Sequence, residues 1–187
     1  MKFNCINWVS VDKQIQEYGK NPPFDYVVID DFFKNDFAKK LAEDFPAFDS
    51  DEWHWYNNAI EVKKGCNNWN AFPKNTYSVF SYFNSQDWLN YLSTKLLGEK
   101  KIYSDSGLNG GGWHTYKKGG KLNTHLDYSL HPKLGLQRKL NIIVYMSPNW
   151  KKEWGGALGL WGNESSEKPG DLVVSVWNKF NRAVIFD

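Results

Sequence analysis

The feature that most limits the fold is a change of pattern at Gly98. Beyond it come six short segments: Lys101–Asp105, Gly112–Lys117, Lys139–Met146, Ala157–Trp161, Asp171–Trp177 and Arg182–Asp187. They are rich in Val, Ile, Tyr and Trp, and Gly, Pro, Asn and Asp separate them, so each reads as a strand. Before Gly98 helical signals dominate. Asn35 can cap a helix in which Phe37, Leu41 and Phe45 recur at i, i+4 and i+8, and Pro46 stops it. Residues 75–83 and 85–98 read as two more helices. Ser85 caps the second, Trp88, Leu89, Leu92 and Leu96 form its buried stripe, and Gly98 ends it. Between them, Asp49–Pro73 is polar and aromatic and reads as irregular. Tyr26–Phe33 reads as an entry strand. Short strands after a helical half predict an α+β fold, mainly β, in which a sandwich, barrel or jelly roll is braced by helices.

Composition narrows the function. The 187 residues suit one domain, with residues 1–98 as mainly helical support and 99–187 as the β core. Net charge is +2, from 23 basic and 21 acidic residues, too balanced a field to imply nucleic acid. No apolar run is long enough for a membrane helix, and none at the N-terminus reads as a secretion signal. Cys5 and Cys66 make no disulfide framework, so a reducing, cytoplasmic setting is expected. Aromatics reach 17%, with ten Trp, which suits a large core or an aromatic-lined pocket.

The chemistry concentrates in Lys121–Pro132. On a strand, residues i and i+2 share a face, so His125 and Asp127 can offer an imidazole and a carboxylate to one ion. With a second, remote His they would form the facial triad of a non-haem Fe(II) oxygenase, which keeps coordination positions open. A lone His-x-Asp is weak evidence; its surroundings add to it. Tyr116 to Gly119 precede it. Arg138 to Met146, Trp150, Gly155 to Leu158 and Asn181 to Phe186 follow in order.

This order resembles the 2-oxoglutarate/Fe(II)-dependent dioxygenases, in their prolyl-4-hydroxylase-like branch. The likeness is close over residues 110–187 and loose before. It implies a double-stranded β-helix, the jelly roll of cupin-like proteins, with Fe(II) as cofactor, 2-oxoglutarate as cosubstrate and ascorbate to keep the iron reduced. His125 and Asp127 match the iron ligands. Tyr145 matches the tyrosine that bonds the far carboxylate of 2-oxoglutarate, Tyr116 a tyrosine of the same pocket, and Leu122 and Asn141 positions on its wall. Alternation over Leu140–Tyr145 puts Asn141, Ile143 and Tyr145 on one face.

The resemblance also implies a second His and a 2-oxoglutarate-binding Arg after the Asn-Arg strand, beyond Asp187. The expectation is therefore of a C-terminally incomplete jelly roll lacking its last strand or strands. Its final apolar strand would be an exposed edge able to associate into a homo-oligomer. Its two protein ligands would bind Fe(II) weakly. His114 and His131 are weaker alternatives for the third ligand, His131 reading as a solvated loop residue, and His54 has no partner. Arg138 and Arg182 read as structural. The expected reaction hydroxylates an unactivated C–H bond of a prolyl residue, another peptide side chain or a small molecule, with succinate and CO2 as co-products. The competing readings are a non-catalytic jelly-roll module for carbohydrate or peptide, and an inactive oxygenase fragment.

Overall fold

A computed structural model describes residues 2–165 and 168–187. The chain divides into two compact units, residues 1–4 with 36–123 and residues 5–35 with 124–187. The division does not fall at Gly98. The fold is α+β, and every strand pairing is antiparallel.

The first unit takes in helix α2 (Asn35–Glu43) from Asp36 onward, together with α3 (Lys74–Phe83) and α4 (Gln86–Leu96). The Ser85 hydroxyl accepts from the Trp88 amide, as its sequence position predicts, and Gly98 leaves the helix at φ +57°. Asp44 caps α3 from outside, accepting from the Thr76 amide and hydroxyl at 2.8 Å each. Strand β2 (His54–Asn57) turns through Asn58, whose side chain accepts from the Ile60 and Glu61 amides, into β3 (Glu61–Cys66). This hairpin corrects the irregular reading of Asp49–Pro73. Its strands are mostly polar, charged or aromatic, with Val62 their one branched aliphatic residue, so alternation of apolarity does not mark it. Strands β4 (Trp113–Thr115) and β5 (Lys121–Leu122) share one edge of β3. Trp113, Cys66, Phe72 and Leu108 form the buried core beneath, with Phe45, Trp53, Trp69 and Phe80 against them. Gly112 is required where β4 enters. At φ +92°, an added Cβ would stand 2.1 Å from the Cys66 carbonyl oxygen. The expected strand Lys101–Asp105 is absent. Asp105 instead builds a turn, accepting the Asn109 amide on its carboxylate and the Leu108 amide on its carbonyl.

The second unit holds helix α1 (Trp8–Gln14) and a three-stranded sheet in the order β1 (Tyr26–Ile29), β9 (Arg182–Phe186), β6 (Asn141–Tyr145). A hairpin of β7 (Leu158–Asn163) and β8 (Pro169–Val176) lies across it. Leu160 and Val176 of the hairpin meet Val184 in one core, lined by Tyr26, Val28, Tyr145 and Phe186. The continuous apolar run Ala183–Ile185 is fully buried, as befits a central strand. This corrects the expectation of an exposed terminal edge: β1 pairs one side of β9 and β6 the other.

The turn into β9 ties it to the end of β1. The Asp30 carboxylate accepts from Arg182 Nε at 2.6 Å and Nη2 at 3.0 Å, and from Lys179 Nζ at 2.9 Å. The Arg182 guanidinium, chiefly, and Lys179 hold the Asp30 carboxyl below its usual value of 3.8. A depressed carboxylate pKa stabilises the fold above the unfolded value, and that contribution disappears as pH falls through the folded one. Asp30→Asn should therefore cost about 1–2 kcal/mol at pH 7. The difference between urea melts of the two proteins should begin to shrink as pH falls below about 3.8 and vanish only below the lowered value of the folded state. An equal difference at pH 7 and pH 3 would contradict this account.

Candidate metal centre

His125 and Asp127 lie outside any strand, in the irregular segment between Leu122 and Leu130. The strand geometry expected of His-x-Asp is thus not what aligns them. Their side chains converge all the same. His125 Nε2 stands 3.4 Å from Asp127 Oδ1, and the side chains are 40% and 36% exposed, while Leu126 between them points to solvent.

The following segment holds Asp127 from behind. Leu130 bridges Gln137, the His131 amide donates to the Leu136 carbonyl, and the Arg138 amide donates to the Ser129 carbonyl. This small hairpin returns Arg138 to Asp127. Arg138 Nη2 lies 3.3 Å from Asp127 Oδ2, and Asn141 Nδ2 donates to the same oxygen at 3.2 Å. Arg138 also donates to the Asn141 side-chain carbonyl, and its guanidinium lies 4.6 Å from the centre of the Tyr128 ring. Arg138 is the site residue that sequence reasoning missed. Its contact depends on a reversal that no spacing rule announces.

His131 forms the reversal itself and is 9% exposed, which corrects the solvated-loop reading. Its Nδ1 accepts from the Lys133 and Leu134 amides at 3.2 and 3.1 Å, so the ring is engaged in the turn. Tyr145 lies four residues beyond Asn141 on β6. Asn141, Ile143 and Tyr145 face Phe186, Val184 and Arg182 across the ladder. Tyr116 and Leu122 belong to the other compact unit. Tyr116 follows β4, with its phenol raised by burial and by Glu61. Leu122 pairs with Glu61 in β5. His114 sits in β4, its pKa lowered by burial and by Lys63, and His54 begins β2 with its ring against Tyr56.

The His125–Asp127 pair fits a six-coordinate cation. Two donors at right angles on an ion with bonds of about 2.1 Å stand about 3 Å apart, close to the observed separation. Among the described residues, no group of three or more His, Cys, Asp or Glu side chains is placed to hold a metal.

Residues 111–187, which contain the pair, match the family model of the 2OG-Fe(II) oxygenase superfamily. This stretch is similar to the 2OG-Fe(II) oxygenase superfamily. Within the chain, 50 residues are 36% identical to prolyl 3-hydroxylase OGFOD1 of Xenopus laevis. That match spans 27% of this chain and 10% of the relative's length. The matched stretch includes β4 to β9, and with them His125, Asp127, Arg138, Asn141 and Tyr145. No helix among the described residues is long and apolar enough to cross a membrane.

Proposed function

We propose that this chain serves a 2-oxoglutarate-dependent dioxygenase that hydroxylates an unactivated C–H bond, with succinate and CO2 as co-products. The observation that carries the proposal is the convergence of His125 and Asp127 at 3.4 Å inside the stretch that matches the superfamily. His125 Nε2 and Asp127 Oδ1 would hold Fe(II), which supplies the redox chemistry of oxygen when bound. Arg138 and Asn141 keep the carboxylate oriented. Tyr145 is the proposed hydrogen-bond donor to the far carboxylate of 2-oxoglutarate. Tyr116 and Leu122 enter as pocket residues through the resemblance alone, as does ascorbate. The paired sheets of the second unit suit a double-stranded β-helix. A prolyl residue in a peptide is the favoured substrate, in keeping with the prolyl 3-hydroxylase relative.

The test is succinate release from 2-oxoglutarate by the full chain with Fe(II), ascorbate and prolyl-containing peptides. Release that disappears in His125→Ala supports the proposal. Absence of succinate together with saturable binding of peptide or oligosaccharide without metal would replace the oxygenase by a binding module.

A further inference from the structure

Asp127 presents its two oxygens very differently. Oδ2 lies 3.3 Å from Arg138 Nη2 and accepts from Asn141 Nδ2 at 3.2 Å. Asn141 fills one acceptor position of this oxygen, and the Arg138 cation stands beside it as an ion pair. Oδ1 instead faces His125 Nε2. The arrangement is braced. Arg138 also donates to the Asn141 carbonyl, stacks on Tyr128, and is fixed at its own backbone by the bond to Ser129. Freeing Oδ2 therefore means breaking a ring of contacts among Asp127, Arg138 and Asn141, not turning one side chain.

We infer that Arg138 and Asn141 restrict Asp127 to one-oxygen ligation and so select small six-coordinate cations over calcium. Calcium takes six to eight oxygen ligands, commonly with bidentate carboxylates at about 2.3–2.6 Å, and gains little from an imidazole. Small first-row cations accept a nitrogen and a single carboxylate oxygen within an octahedron. With Oδ2 occupied, the site offers one nitrogen and one oxygen. Arg138 is a positioning residue in this scheme and touches no substrate. The inference rests on the metal site proposed above.

Charge must be separated from geometry. Removing the Arg138 cation favours every dication by relieving repulsion, so affinity for one metal is ambiguous. The ratio of two dications cancels that contribution. Mn(II) serves as the probe for the small cation, followed by electron paramagnetic resonance of the full chain, with Ca(II) as competitor. The wild type should prefer Mn(II), and His125→Ala should weaken Mn(II) binding. In Arg138→Met combined with Asn141→Leu, the Mn(II)-to-Ca(II) affinity ratio should fall by about tenfold or more, a change of the size that ligand-orienting partners produce. Arg138→Gln, which keeps a donor without the charge, should retain most of the wild-type ratio. Asn141→Leu alone should lower it about threefold, and serves if the double variant does not fold. A ratio unchanged in the variants, with His125-dependent Mn(II) binding in the wild type, overturns this inference and leaves the metal site standing. Absence of His125-dependent Mn(II) binding in the wild type overturns both.

Discussion

Asn181→Ala should cost about 3–4 kcal/mol, enough to bring a domain of ordinary stability close to unfolding. Asn181 is 3% exposed, and its amide clasps one residue of the distant β1 end. Oδ1 accepts from the Phe33 amide at 2.9 Å, and Nδ2 donates to the Phe33 carbonyl at 2.8 Å. The backbone adds bonds from the Phe32 amide to the Asn181 carbonyl and from the Asn181 amide to the Tyr145 carbonyl. Alanine would leave two buried main-chain groups of Phe33 without these partners, each costing about 1–3 kcal/mol. The residue also sits at φ +63°, which asparagine tolerates better than alanine. Asn181→Gly relieves the backbone and not the lost bonds, so it should recover only about 1 kcal/mol. Urea denaturation of the three proteins checks this. A loss below about 1 kcal/mol for alanine would mean that water replaces the clasp and the account is wrong.

Asp127→Ala should have the opposite profile, a large chemical effect with a small structural one. On the proposed ligation of Fe(II) by Asp127, its removal should lower succinate formation by more than about a hundredfold, beyond the 10–100-fold typical of groups that merely orient ligands. Asp127 is exposed and its ion pair with Arg138 faces solvent, so stability should change by less than about 1 kcal/mol. Leu126→Ala, between His125 and Asp127 and 71% exposed, should leave both properties as they are. Melting curves beside turnover decide the matter. Retained turnover in Asp127→Ala removes the residue from the chemistry, whereas a collapsed melt would reassign it to the fold.

What the sequence discloses here follows from the kind of interaction involved. Strands β6 to β9 announce themselves as short aliphatic runs, buried throughout only in β9, and α4 because Ser85 and Gly98 punctuate it. The β2–β3 hairpin is silent because lysines, glutamate and aromatics line it, and pairing rather than apolar alternation holds it. The site divides in the same way. His125 and Asp127 are legible as residue types in order, although a loop and not a strand aligns them. The grip of Arg138 on Asp127 is illegible, since it arises from the Ser129–Arg138 reversal. Asn181 and Arg182 read as a turn. Only the folded chain reveals that this turn holds Asp30 and Phe33.

The central position of β9 has a consequence for biosynthesis. Its clasp on Phe33 closes a sequence separation of 148 residues, and its ladder to β1 joins Tyr26 to Phe186. Until β9 is made, the aliphatic strand Tyr26–Ile29 has no sheet to join, and β6 lacks the neighbour that links it to β1. Long-range pairings of this kind form slowly, because chain-closure entropy is spent before contacts repay it. The β2–β3 hairpin closes over a few residues and has no such wait. On the ribosome, the unit that carries His125 and Asp127 is thus the late one. Its nascent Tyr26–Ile29 segment is the stretch that a chaperone would need to shield.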